Sequence, residues 1–258
     1  MADYGQGARR ARFILGAVGA SAVVVVAALG VLAYLLLAPG TSGAPVAKPS
    51  GTAKAGAGAA ADPALPRSSM TPEKAAKVVL SVPDDPKSGV STGFPHTTTG
   101  AVSAAVYFWE EFAFLDDSKA RQQLKAIVAG DSQDYVDRRI SEVRKLREAA
   151  GLPPSGGTPA GITFSTSVNA VRPRSLDKKG DVMQVWLNYD RYATKSDGGA
   201  DEQPFRGEDT AMVLRWDKGA WRITDDARYR AALTYPAAYY PTSIAAWSDG
   251  WVQVRHGE

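Results

Sequence analysis

The sequence predicts an α+β domain held outside a membrane: an N-terminal transmembrane helix, then helices packed on a curved antiparallel sheet. Three observations predict it. Residues 13–38 carry no charged side chain. Between positions 97 and 150 apolar residues recur at spacings of three and four, the period of an amphipathic helix. Beyond position 160 they recur at every second residue, the period of a strand with one buried face.

The uncharged run begins at Phe13, ends at Ala38 and contains VVVVAALGVLAYLLLA. As a helix it reaches about 39 Å, more than the ~30 Å of a hydrocarbon core. Being apolar on every face, it suits lipid, so the bilayer is the partner expected for residues 13–38. Arg9, Arg10 and Arg12 precede it and no cation follows until Lys48. The positive-inside rule then places residues 1–12 in the cytoplasm and residues 69–258 outside, anchored to the cell membrane. A cleaved signal peptide is the alternative, with Ser42-Gly43-Ala44 or Pro45-Val46-Ala47 as small-residue cleavage sites. A signal core, however, is only about 7–15 residues long. The chain has no cysteine, which excludes a lipoprotein anchor, disulfides and cysteine metal sites.

Residues 39–68 are mostly Ala, Gly, Pro, Ser and Thr and read as a spacer that buries no apolar surface. The net charge of +3 and pI near 9.0 invite a nucleic-acid reading. Six cations and two acids, however, fall within the first 67 residues, leaving 24 basic and 25 acidic residues from position 68 onward. With no basic excess in the folded part, no direct nucleic-acid binding is expected.

The external domain opens with a short helix at Thr71-Pro72-Glu73. Thr97, Thr98 and Thr99 offer caps for a helix from Gly100 to Leu115, with Val102, Ala105, Val106, Trp109, Phe112 and Ala113 as its apolar stripe. A second helix, from Asp117 to Ala129, buries Leu124, Ile127 and Val128. The third, from Ser132 to Ala150, is capped by Asp131 and buries Val136, Ile140, Val143 and Leu146. Arg144, Lys145 and Arg147 in its last turns, then Gly151 and Pro153, close it. Ile162, Phe164, Thr166, Val168 and Ala170 mark the buried face of one strand, and Met183, Val185, Leu187 and Tyr189 that of the next. Ala211 to Trp216 and Ala220 to Thr224 flank a hairpin turn at Asp217-Lys218-Gly219, with Trp216 and Trp221 packed across the pair. Residues 195–209 read as a polar, mobile connection. Helices first and strands after give helices segregated to one face of the sheet.

This order, ending in the hairpin Trp216-Asp217-Lys218-Gly219-Ala220-Trp221-Arg222-Ile223, resembles the cystatin-like cone typified by nuclear transport factor 2, over residues 97–226. A narrower resemblance rests on Gly93-Phe94-Pro95-His96-Thr97, then Gly100-Ala101-Val102 and Ala104-Ala105, and the later Asp249-Gly250-Trp251-Val252. These are similar to the signature of actinobacterial single-pass membrane proteins found with integrative conjugative elements. The layout of tail, span, linker and external domain is similar to TcpC-type scaffolds of conjugative type IV secretion systems, and to Mce-associated membrane proteins. The resemblance implies an extracytoplasmic scaffold or interaction protein, partnered by other envelope or secretion proteins. Self-association through the outer sheet face is a further expectation. The alternative is a binder of a small apolar or lipid-like ligand inside the cone.

Catalytic signals are sparse, and neither an enzyme nor a cofactor is expected. Phe94, Pro95, His96 and Thr97 form a candidate motif at a helix start, where His96 reads as a general base or as a packing residue. His256, near the C-terminal end of the sequence, is expected to be solvated, and two such histidines make no zinc site. Glu110-Glu111 and Asp116-Asp117 are adjacent on helices, where neighbours point about 100° apart, so neither pair need converge. They read as a solvated face and a helix end. Tyr107, Tyr189, Asp190 and Tyr192 supply the residue types of a ketosteroid-isomerase-like site. The aromatic-dense C-terminal stretch, with Tyr235, Tyr239, Tyr240, Trp247 and Trp251, is the candidate contact surface, or else covers the open end of the sheet.

Overall fold

A computed structural model describes residues 72–87, 89–196, 201 and 204–257. The predicted span at 13–38 and the spacer at 39–68 lie outside them. Among the described residues no helix is long and apolar enough to cross a membrane. A single 3-10 turn at Pro72–Lys74 stands where a short helix is expected. Three short strands follow, β1 (Lys77–Val79), β2 (Asp85–Lys87) and β3 (Val90–Thr92), then α1 (Thr98–Glu111), α2 (Asp117–Ile127) and α3 (Gln133–Ala149). Next come β4 (Ile162–Ser175), β5 (Val182–Lys195), β6 (Phe205–Asp217) and β7 (Ala220–Ile223). Two short helices, α4 (Ala227–Arg230) and α5 (Ile244–Ser248), precede β8 (Val252–Arg255). The fold is α+β.

The main sheet has the order β1-β8-β4-β5-β6-β7, and β2 pairs with β3 apart from it. It is mixed, because β1 runs parallel to β8 while the other pairs are antiparallel. β5 continues to Lys195 and β6 begins at Phe205, so much of the expected polar connection is strand. Lys218 and Gly219 both take positive φ, 52° and 80°, between the paired Asp217 and Ala220. This is the two-residue turn whose twist matches that of its strands. Trp216 and Trp221 pair across it with rings 5.4 Å apart.

α1 is the centre of the domain. Its buried residues are not a stripe: Ala101, Ala104 and Phe108 are enclosed as fully as Val102, Ala105, Val106 and Trp109. Such a helix needs cover on all sides. The sheet supplies Val168, Val171, Met183, Val185, Leu187, Met212 and Leu214, and Leu80, Val90 and Phe94 belong to the same core. Thr97 caps the helix by accepting the Gly100 amide at 3.0 Å. α2 is capped by Asp116 through the Lys119 amide. The cap residue of α3 is Ser132, not Asp131, and it makes no side-chain cap bond.

The buried Gln123 ties three segments together. Its amide donates to the carbonyls of Gly89 (2.9 Å) and Glu111 (2.8 Å), and its oxygen accepts the Ala113 amide at 2.8 Å. The C-terminal end of α2 covers the edge of β7, where Val128 bridges Ile223 and the Ala129 amide donates to the Ile223 carbonyl.

One residue changes the sidedness of β4. Val168 pairs with Tyr189 and Ala170 with Asn188, leaving Asn169 as a bulge. An extra residue reverses the alternation beyond it. Phe164, Thr166, Val168 and Val171 face the long helices, whereas Ala170, expected on that side, joins a second core on the outer face. That core holds Ala75, Ala170, Tyr239, Ala246, Trp247 and Trp251. The outer face, the surface expected for self-association, is therefore covered here by the C-terminal segment. Helices are not confined to one side: α5 belongs to this cover.

The tightest backbone approach is at the entry to α1. A Cβ on Gly100 would lie 1.9 Å from the Pro95 carbonyl oxygen. Gly100→Ala is expected to destabilise the protein by about 1–3 kcal/mol, despite alanine's helix advantage of ~1 kcal/mol. Chemical denaturation of the full-length protein in detergent measures this, and a neutral or stabilised variant would contradict the packing described.

Candidate functional site

The two sequence motifs singled out above meet in space. Gly93 takes φ +86°, and a Cβ there would lie 2.5 Å from that of Asp84. Phe94 is buried and stacks on Tyr107 with ring centroids 5.5 Å apart. The Pro95 carbonyl accepts both the Trp221 indole N–H and the Thr97 amide, each at 2.8 Å. His96 lies flat on Trp216 at 4.4 Å and meets the edge of Trp221 at 5.5 Å. Its Nε2 is 2.9 Å from an Asp181 carboxylate oxygen. Phe94, Pro95, His96 and Thr97 thus join the helix start to the β6–β7 hairpin. In this arrangement His96 is a packing residue rather than a base held in a cavity.

Glu110 and Glu111 diverge and act as anchors rather than a solvated face, while Asp116 and Asp117 stand at a helix end as expected. Glu110 accepts the Val168 amide beside the β4 bulge at 2.9 Å with one oxygen, and its other oxygen is 2.8 Å from His256 Nε2. His256 also meets the Tyr107 ring edge at 5.6 Å; it is exposed, as expected, while its ring is held by α1. Glu111 accepts from the amide and hydroxyl of Ser91 on β3.

Asp117 is only 3% exposed and holds the segment after α3. It accepts the Gly156 amide (2.9 Å), the Ser155 hydroxyl and the Arg144 guanidinium. These contacts, the Gly156 amide first, lower its carboxyl pKa to about 2 against the opposing effect of burial. Arg147, read as a helix-end cation, is also buried and donates to the carbonyls of Leu115, Pro153 and Gly157.

Of the four residues of the tyrosine–acid combination, Tyr192 and Asp190 meet, the tyrosine hydroxyl donating to the carboxylate at 3.0 Å. Tyr189 packs toward the helices against Trp109. Asp190 faces the outer side, accepting Asn169, Gly207 and Tyr192. Among the described residues no group of three His, Cys, Asp or Glu side chains is placed to hold a metal.

The C-terminal aromatics divide. Tyr239, Trp247 and Trp251 are buried in the outer core, and the Trp251 indole donates to the Ala237 carbonyl at 2.8 Å. Arg172 on β4 grips Asp249, which also accepts the Ala237 amide. Gln184 and Trp186 on β5 donate to the Thr234 carbonyl. Of the candidate contact residues only Tyr235 (63%) and Tyr240 (64%) are exposed. The burial of the others follows from the sheet's outer face being apolar at Ala170 and Trp186.

Two hollows remain. One, of about 760 Å³, lies on the outer side between β4, β5, β6 and residues 238–241, with Asn169, Asn188, Asp190 and Arg206 among its lining residues. The other, of about 320 Å³, lies between the α1–α2 turn and the start of β4, bounded by Phe112, Phe114, Phe164 and Thr166. Arg191, whose guanidinium packs on Phe114 and bonds the Thr166 hydroxyl, is a residue the sequence reading passed over. It continues the buried parity of Met183, Val185, Leu187 and Tyr189, and a cation at such a position is the signal that marks it.

No family model, curated protein or solved structure matches the chain.

The depressed Asp117 carboxyl fixes the sign of an acid effect. Its folded pKa of about 2 lies below the ordinary ~3.9, so its contribution is complete above about pH 4 and is lost as pH falls toward 2. Asp117→Asn is expected to cost about 2 kcal/mol at neutral pH and to flatten stability between about pH 4 and 2. Denaturant midpoints of both proteins across that range check it, and parallel curves would refute the assignment.

Proposed function

We propose that this chain is a membrane-anchored extracytoplasmic scaffold or interaction protein. Residues 13–38 are its lipid anchor, residues 39–68 its spacer, and the α+β domain is the part that meets partners in the envelope. The observation that carries this reading is the join of an uncharged run to a folded domain whose conspicuous polar side chains serve as anchors. His96, Glu110, Glu111 and Asp117 each tie one element to another. The proposal extends to a cystatin-like cone fold, which the order of three helices, long strands and a Trp-flanked hairpin supports. It extends also to a place in a conjugative, type IV secretion-like apparatus, which rests on the motif resemblance. Tyr235 and Tyr240, exposed on the segment that covers the outer face, are its contact residues.

An apolar-ligand binder within the cone is less well supported. Val102, Ala105, Val106 and Trp109 of α1 fill the sheet's helix side. An isomerase reading would rest on Tyr192 and Asp190, which meet on the outer side, while Tyr189 faces the helices.

The test is alkaline extraction of membranes, followed by photo-crosslinking from the exposed position 238 and recovery in detergent. Retention in the membrane and capture of an envelope or transfer-machinery protein are expected, with capture lost in Tyr235→Ala/Tyr240→Ala. Release by alkali, or recovery without any envelope partner, would overturn the proposal.

A further inference from the structure

The outer face of the sheet is hollowed where two bulges flank β5. On β4 Asn169 is the extra residue between the pairs Val168↔Tyr189 and Ala170↔Asn188. On β6 the register slips between Tyr189↔Glu208 and Arg191↔Phe205, so Arg206 and Gly207 together oppose Asp190. Gly207 takes φ +68°, the left-handed conformation that suits a glycine in a bulge. Both bulges close on one side chain. Asp190 Oδ1 accepts the Asn169 side-chain amide at 3.0 Å and the Gly207 backbone N–H at 2.8 Å. Bulges often re-aim side chains beside binding sites, and Asn169, Arg206 and Gly207 all line the hollow of about 760 Å³.

The floor of this hollow is a chain of planar polar groups. Asn188, only 2% exposed, donates to an Asp209 oxygen at 2.8 Å and accepts from Asn169 at 3.3 Å. Asp190 takes the Tyr192 hydroxyl on its other oxygen. A carboxylate can accept about four hydrogen bonds. Asp209, exposed and bonded to Asn188 through one oxygen, therefore keeps acceptor capacity toward the hollow. Arg206 and Tyr240 bring exposed donors to the same lining. One wall is rigid, because Tyr239 is packed against Trp247 and Trp251 with ring centroids 5.6 and 5.3 Å away.

We propose that this hollow binds a carbohydrate, a short neutral stretch of glycan laid across β4, β5 and β6. A sugar hydroxyl donates and accepts at once, which matches a surface where carboxylate acceptors alternate with amide and guanidinium donors. The C–H faces of a sugar pack on flat rings, and Tyr240 and Pro241 supply these at the edge. Two carboxylates against one guanidinium make the lining net negative, which disfavours phosphate or another anion. The polar floor disfavours an apolar body, whose entry would strip water from these groups without replacing it. The volume lies in the upper part of the ~300–1,000 Å³ range of ligand sites, room for more than one sugar ring. The site goes beyond the scaffold reading and does not depend on it.

Calorimetric titration of the full-length protein in an amine-oxide detergent, which carries no sugar headgroup, tests the site. The probes are maltotriose, mannotriose and chitotriose, with spermidine as a cation without hydroxyls and inorganic phosphate as an anion. At least one trisaccharide is expected to bind, and phosphate is not. Asp209→Ala and Tyr240→Ala, both at exposed positions, are each expected to weaken that trisaccharide at least about fivefold while retaining the folded circular dichroism spectrum. The proposal fails if no trisaccharide binds, if spermidine or phosphate alone binds, or if either variant binds the sugar as tightly as the parent. The titration contains no second protein, so its failure leaves the crosslinking test of the scaffold reading untouched, and the reverse holds equally.

Discussion

The contact on which the domain depends is the Pro95 carbonyl pressed against Gly100. A peptide oxygen this close to a helix leaves no room for any side chain, and it is held there by two donors. One is the Thr97 amide, which belongs to the helix cap; the other is the Trp221 indole, which belongs to the last hairpin of the meander. A single acceptor therefore fixes where α1 begins and where β6 and β7 end relative to it. His96, packed flat on Trp216, adds area to the same junction. Once the start of α1 is set, its all-round burial sets the position of the sheet on one side and of β3 on the other.

A chain without cysteine needs other means of holding long connections, and here buried polar side chains do it. Gln123 ties the β2–β3 hairpin to the end of α1. Asp117 and Arg147 together hold residues 153–157 against the α1–α2 turn. Each has several partners, which matters because a buried polar group with one bond missing costs more than the bond contributes when made. These anchors specify loop positions that apolar packing, which has no direction, leaves open.

The helices and long strands were readable because they are long enough for a period to repeat. β1, β2, β3 and β8 span only three or four residues, too few to tell alternation from chance; β7, as short, was readable from the turn at Asp217-Lys218-Gly219. Asn169 hid the switch in β4, because a polar residue in an outward position looks the same with or without a bulge. Residue parity held more than was taken from it. Arg191 continues the inward series of β5, and Arg147 follows Val136, Ile140 and Val143 at helical spacing, so both charges were marked as buried. The roles of Tyr239, Trp247 and Trp251 were not readable, since aromatic density suits an interface and a second core equally well.

The placement of β8 has a consequence for synthesis. β1 stands at one end of the sheet and β8 is its only sheet neighbour among the described residues, paired from Lys77↔Gln253 to Val79↔Arg255. Of the described strands β1 leaves the ribosomal exit tunnel first and its partner last. The β4–β7 meander can be complete while β1 still has no edge to join. Closing so large a loop is entropically costly and slow. The segment nearest the predicted membrane anchor is then the last to be secured, and the nascent domain hangs from an unpaired strand until β8 has emerged.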